Sequence, residues 1–194
     1  MLPRHAFTAI ALACFAGAPA LGQVIHDEGV DGDLSGDRFN PTAYVLGLGS
    51  NRIIATSGPG DREFVALTVP AGMLMSALIQ VDYIGEDGVA FAAVDDGPQF
   101  LVDPDAFTTA GMLGWTHFGP VIFPNGSDIL PAMGMGFGAD GFVPPLPAGT
   151  YTFWLQQTGE EVTYELDFFV IPAPGAAGLL GFGAVWAVRR RRTA

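Results

Sequence analysis

The residues best equipped for chemistry are acidic. Asp27-Glu-Gly-Val-Asp31-Gly-Asp33-Leu-Ser-Gly-Asp37 places five carboxylates within eleven residues. A hard cation such as Ca²⁺ takes six to eight oxygen ligands and accepts them from flexible loops of this kind. Asp31, Asp33 and Asp37 are therefore candidate metal ligands, and Ca²⁺ is the one cofactor the pattern suggests. The spacing is not that of an EF-hand. Asp31, Asp33 and Ser35 fit the first, third and fifth places, but Thr42 stands twelfth, where a bidentate glutamate belongs. The plainer reading of residues 23–38 is a solvated acidic linker with no cofactor. A second set, Asp61 with Asp82, Glu86 and Asp87, would need the loops between strands to gather it.

Hydrolysis by a nucleophile needs Ser or Cys, His and Asp in one place. After the first 22 residues the chain offers only His26 and His117, no cysteine and no Gly-x-Ser-x-Gly. No catalytic role is expected, and a hydrolase would require His117 against an acid in a closed pocket. His26, close to the start of the body, is expected to be exposed. His117 lies in Gly114-Trp-Thr-His-Phe-Gly119. There Trp115, His117 and Phe118 are candidates for stacking on a sugar ring, against the simpler alternative that Trp115 and Phe118 pack beneath a loop. Gly136-Phe-Gly-Ala-Asp-Gly141 spells a dinucleotide-binding fingerprint by letters, but prolines follow where a helix should begin. It reads as a flexible loop.

These residues must be carried by strands. In Val162–Val170, Val162, Tyr164, Leu166, Phe168 and Val170 alternate with Thr163, Glu165 and Asp167, the signature of a strand with one face in a core. Thr150–Gln157 alternates likewise, and Gln157–Glu161 is expected to turn these two strands into a hairpin over 150–170. Further strands are expected at Tyr44–Leu48, Arg52–Thr56, Glu63–Val69, Leu74–Ile84 and Val89–Val94, separated by Gly and Pro clusters. Val69-Pro-Ala-Gly72 and Leu146-Pro-Ala-Gly149 read as matching turns, each launching a strand. Residues 107–147 show no period and are expected to be long loops with a short strand or two. The body, 39–171, is thus expected to be one all-β domain, an antiparallel β-sandwich.

The ends differ from the middle. Arg4, an apolar run Phe7–Ala16 and small residues at Ala18, Ala20 and Gly22 read as a secretory signal peptide over 1–22, cut after Gly22 or, alternatively, Ala20. Its expected partners are the Sec machinery and signal peptidase. The single cysteine, Cys14, lies inside that run, so no disulfide is expected in the mature protein. All 20 acidic residues lie from Asp27 to Asp167, opposed there by Arg38, Arg52 and Arg62 alone. Such a field repels nucleic acid and anionic membrane. At the far end, Gly175–Val188 is 14 uncharged residues, about 21 Å as a helix against a hydrocarbon core of about 30 Å. Arg189, Arg190, Arg191 and Arg192 then form a stop-transfer cluster expected to stay cytoplasmic.

A Pro-x-Pro motif at Pro172, Ala173 and Pro174, a short Gly/Ala/Leu-rich helix and an arginine cluster together resemble the PEP-CTERM sorting signal over 172–194. The resemblance implies a transiently membrane-inserted tail, processed by an exosortase-type sorting enzyme that delivers the protein to the cell envelope or extracellular polysaccharide. Here alanine replaces the central glutamate of the motif. Residues 31–72, "DGDLSGDRFNPTAYVLGLGSNRIIATSGPGDREFVALTVPAG", and 147–170, "PAGTYTFWLQQTGEEVTYELDFFV", resemble the two ends of a bacterial pre-peptidase C-terminal domain. That resemblance implies a jelly-roll-like sandwich serving as an accessory or adhesive module. Together they lead to a secreted cell-surface or exopolysaccharide-matrix protein in a structural or adhesive role, with a carbohydrate-binding or Ca²⁺-dependent lectin-like module as the alternative.

Overall fold

The computed structural model describes residues 22–175. The expected signal peptide, up to its last residue, and the tail beyond Gly175 with its arginine cluster lie outside the described residues. Ten strands form two sheets that pack face to face. One contains β1 (Gln23–Asp27), β3 (Asn51–Ser57), β5 (Met73–Ile84), β8 (Ser127–Asp128) and β10 (Val162–Pro172), in the order β1-β3-β10-β5-β8. The other contains β2 (Thr42–Val45), β4 (Arg62–Val69), β6 (Ala90–Asp96), β7 (Gly114–Phe118) and β9 (Gly149–Gln156), in the order β2-β4-β9-β6-β7. The chain is an all-β sandwich. Two short helices, α1 (Glu28–Asp31) and α2 (Leu130–Gly134), complete it with a 3₁₀ turn at Pro104–Ala106.

β3, β4, β5, β6, β9 and β10 fall where the alternation places them, while β2 lies at Thr42–Val45, two to three residues before the expected Tyr44–Leu48; the expected pairing does not hold. The expected hairpin over 150–170 is absent: β9 bonds to β4 and β6, whereas β10 bonds to β3 and β5. The turn between them is an arch that carries the chain from one sheet to the other. Two apolar rows that would lie side by side in a hairpin therefore face each other across the core. Phe153 meets Phe168 edge to face with ring centroids 5.0 Å apart.

Gln157 holds the arch. Its amide N–H group donates to the Tyr83 hydroxyl and the Val89 carbonyl, and its amide oxygen accepts from the Thr158 and Gly159 N–H groups. Its own backbone N–H donates to the Ser57 hydroxyl. At 2% exposure, a polar side chain must find such partners or forfeit its hydration for nothing.

The expectation of antiparallel pairing throughout is corrected at two edges. The six pairings among β3, β10, β5 and β8 and among β4, β9, β6 and β7 are antiparallel, but β1 pairs parallel with β3 and β2 parallel with β4. A parallel pair requires a crossover, and the crossover here is a strand of the opposite sheet. The chain runs β1, β2, β3, β4 while alternating sheets, so every second strand returns pointing the same way.

The acidic stretch 23–38, expected as a linker, is built into the sandwich. β1 adds to the edge of β3, Leu34 is 3% exposed within the main core, and Ser35 bridges to Phe64. His26, expected to be exposed, is buried with Nδ1 on the Tyr44 hydroxyl at 2.8 Å.

The main core lies between the sheets, from Ile53 and Leu67 to Phe153, Tyr164 and Phe168. A second apolar cluster sits on the outer face of the β9 sheet: Phe64, Ala93, Phe100, Met112 and Trp154. β4 and β6 therefore carry apolar residues on both faces, Phe-Val-Ala-Leu in one and Ala-Phe-Ala-Ala-Val in the other. In 107–147 the structure places β7, β8 and α2. The loop Gly136–Gly141 lies against β7, where a Cβ on Gly136 would come within 2.6 Å of the Trp115 carbonyl. Among the described residues no helix is long and apolar enough to cross a membrane.

Replacing Gln157 by Ala leaves four partners unpaired inside the arch and is expected to cost about 2–4 kcal/mol. The neighbouring Gln156→Ala, on the half-exposed face, should stay within about 0.5 kcal/mol. Urea denaturation of both variants checks the contrast.

Candidate functional site

An acidic cluster closes one end of the sandwich. Within β4, Glu63 shares inward parity with Val65, Leu67 and Val69, and it is fully buried. The Tyr164 hydroxyl donates to Glu63 Oε2, while Oε1 has no partner. Glu28 reaches the same point from α1. Its Oε1 accepts from Leu34 N–H at 3.1 Å and its Oε2 from Thr56 N–H at 2.6 Å. One carboxylate oxygen each from Glu28, Asp33 and Glu63 lie within 4.8 Å of one another. Burial first, and then the charges of Glu28 and Asp61, push the Glu63 carboxyl up to about 10. Asp61 is raised as well, by burial first and then by Asp33 and Glu28.

A carboxylate buried among carboxylates has two resolutions. It keeps its proton, or it shares a cation with its neighbours. The three oxygens suit an oxygen-seeking divalent ion. Of the sequence-predicted ligands, Asp33 alone belongs to this cluster. Asp31 accepts from Asp27 N–H at 2.9 Å. Asp37 is turned into its own loop, accepting from the Asn40 amide and the Phe39 N–H, and these bonds hold its carboxyl below the usual range. Thr42 accepts from Ser35 N–H instead of standing near an ion. The second set, Asp61 with Asp82, Glu86 and Asp87, forms no close acidic group among the described residues; Asp82 accepts from the Asn125 amide and Asp87 from Val89 N–H.

The strand parity that hides Glu63 also divides the aromatic candidates. On β7, Trp115 and His117 face outward, but Phe118 faces the core with no exposure and packs edge to face on Tyr83 and Tyr164. Phe118 is therefore removed from any glycan surface. Trp115 stacks on Phe91 at 5.9 Å, and its indole N–H donates to the Phe137 carbonyl. His117 packs edge to face on both rings. His117 and Asp87 line one cavity of about 390 Å³ that has no serine or cysteine in its lining. Among the described residues the ion pairs are Arg52–Glu165 and Arg62–Asp105.

The Pro-x-Pro motif sits at the end of the last described strand. Pro172 is the last residue of β10, opposite Met73, and Ala173 N–H donates to Gly72 O at 2.8 Å. Pro172 and Pro174 are exposed. Compared with known proteins, the chain matches no family model, no curated sequence and no solved structure.

The carboxyl of Glu63 gives a pH signature. Unfolded, it ionises near 4.5; folded, it holds its proton to about 10. Its contribution therefore favours folding below the unfolded value and is lost as pH rises above it. Glu63→Gln keeps an acceptor for Tyr164 and removes the titration. With a chelator present, its stability relative to wild type should rise from pH 5 to pH 8, by up to about 1.4 kcal/mol per unit. A stability difference that stays constant across that range contradicts the assignment.

Proposed function

We propose that the chain is an exported cell-surface or exopolysaccharide-matrix protein with a non-catalytic, structural or adhesive role, addressed by its C-terminal tail. The observation that carries this reading is the junction at Pro172. The last described strand ends on the motif, so the expected tail begins directly after β10. A sorting enzyme acting at Pro172-Ala173-Pro174 would meet exposed prolines on a finished domain. The expected path is Sec export, removal of residues 1–22, transient insertion of the tail with Arg189–Arg192 inside, and exosortase-type processing.

The all-β sandwich is compatible with the proposed accessory module, whose likeness to a pre-peptidase C-terminal domain rests on residues 31–72 and 147–170 of the sequence. The jelly-roll reading, a double-sheet arrangement of eight antiparallel strands, is supported by the central orders β3-β10-β5-β8 and β4-β9-β6-β7 and by a chain that changes sheets after every strand except β6. The parallel strands β1 and β2 are additions at its edges.

A second reading, that the module depends on Ca²⁺, is favoured by one observation: the unpartnered Oε1 of buried Glu63 beside Glu28 and Asp33. The ion would exchange the Glu63 proton for a shared positive charge and lock α1 and the segment to Leu34 onto β4.

Intact mass of the protein from native cells, measured separately in membrane and extracellular fractions, tests the address. A mass lacking residues 1–22 and the tail beyond about Pro174 is expected; one retaining Arg189–Arg192, found only in membranes, points to a plain anchor. For the second reading, millimolar Ca²⁺ should raise the Tm of the wild type over chelator-treated protein by several degrees. The same addition should leave Asp33→Asn and Glu28→Gln unmoved.

A further inference from the structure

The outer face of the β9 sheet carries a row of side chains at one register level. Arg62 on β4 pairs with Gln156 on β9, Gln156 with Phe91 on β6, and Phe91 with His117 on β7. The four project side by side from strands about 4.8 Å apart. The next level, Phe64, Trp154, Ala93 and Trp115, is mostly covered. The first level is partly open: His117 is exposed, Arg62 and Gln156 are half-exposed, and Phe91 is half-exposed with Trp115, Trp154 and His117 packed about its ring. Cavities of about 390 Å³ and about 240 Å³ adjoin it, and Phe91, Trp154, Gln156 and Thr158 line both. The shared residues make them two halves of one groove.

Three features distinguish this groove from an ordinary sheet surface. Trp154 lies in the wall of both halves with its indole N–H buried and unpartnered. Phe107 lines the second half, is 97% exposed, and has φ 48°, a left-handed conformation that is costly for a bulky residue. Phe107 takes that conformation as the residue ending the 3₁₀ turn, and residues held in such sparsely populated conformations cluster at ligand clamps. Finally, the polar groups of the groove are divided. The Gln157 amide and one oxygen of Asp87 are spent inside the fold, which leaves the Gln156 amide, the Thr158 hydroxyl and the His117 ring for a ligand.

The chemistry selects a class. The exposed Phe107 ring and the open part of Phe91, with Gln156, Thr158 and His117 lying between Asp87 and the paired Arg62, fit a pyranose, which has an apolar C–H face and a hydroxyl rim. Anionic ligands are opposed by Asp87 and by the excess of acid over base in the body. The three body arginines are already engaged: Arg62 with Asp105, Arg52 with Glu165, and Arg38 with the Phe100 and Leu101 carbonyls.

We propose that this groove binds a neutral polysaccharide, with one sugar on Phe91 and the next against Phe107, and with Gln156, Thr158 and His117 taking hydroxyl hydrogen bonds. The proposal rests on the surface-or-matrix reading for its setting and names the ligand class of the adhesive module.

Affinity electrophoresis of the full chain through gels containing dextran, galactomannan, hydroxyethylcellulose or xylan, with alginate as the anionic comparison, tests it. Retardation is expected in at least one neutral gel and not in alginate. The retarding affinity should fall tenfold or more in Phe91→Ala and in Phe107→Ala. It should be unchanged in Val143→Ala, an exposed residue that lines neither half. The solvent-displayed Phe107 makes its variant safe for folding. No retardation in any neutral gel, retardation in alginate alone, or full retardation of both Phe variants overturns the groove. The assay is independent of sorting: export without binding removes only the groove, and binding without export removes only the address.

Discussion

Gln157 is the interaction on which the remaining architecture depends. Its amide joins the end of β5, the approach to β6 and its own turn, and its backbone N–H closes on Ser57 at the end of β3. Those bonds force the chain from β9 across the core to β10 instead of back along the same sheet. Once that crossing is made, Phe153 and Phe168 meet as core partners, and β9 and β10 each pair only with strands distant in sequence. The expected folding consequence is slow nucleation, since non-local pairings repay loop closure late.

Strand positions were legible because period-two alternation is a local property: β3, β4, β5, β6, β9 and β10 lie within a residue or two of where Ile53, Leu67, Leu78, Val94, Phe153 and Phe168 place them. Pairing was not, because an alternating strand presents the same pattern whether its neighbour in sequence lies beside it or opposite it. β1 was hidden by its composition. Acidic neighbours make Gln23–Asp27 look solvated, and nothing local announces that Glu28 will spend both oxygens on the N–H groups of Leu34 and Thr56. The site followed the same division. Parity along β4 could have marked Glu63 as inward, and parity along β7 could have separated Phe118 from Trp115 and His117. The meeting of Glu28 with Glu63, and of Phe91 with Gln156, exists only in the register between strands.

The two outer faces of the sandwich are unlike. The β10 sheet shows solvent a polar surface tied together by Arg52–Glu165, Thr56–Thr163 and Ser50–Asp167. The β9 sheet turns aromatic rings outward, and the segment that carries Phe100 and Met112 covers only part of them. A partly open aromatic surface on a strongly acidic domain is where contact with another molecule is favourable. The acidic cluster lies at the sandwich end, where β4 begins and α1 docks, and so bears on the rigidity of the scaffold more than on the groove.

Stability is thus expected to sit in the arch, and the proposed recognition on one face. Hydrogen–deuterium exchange of the full chain, with and without the neutral polysaccharide that retards it, compares the two directly. Protection confined to the strands and turns bearing Phe91, Phe107, Gln156 and Thr158 is the predicted result. Protection centred on the β10 sheet or on the Glu28–Glu63 end, or no change at the groove, would contradict the account.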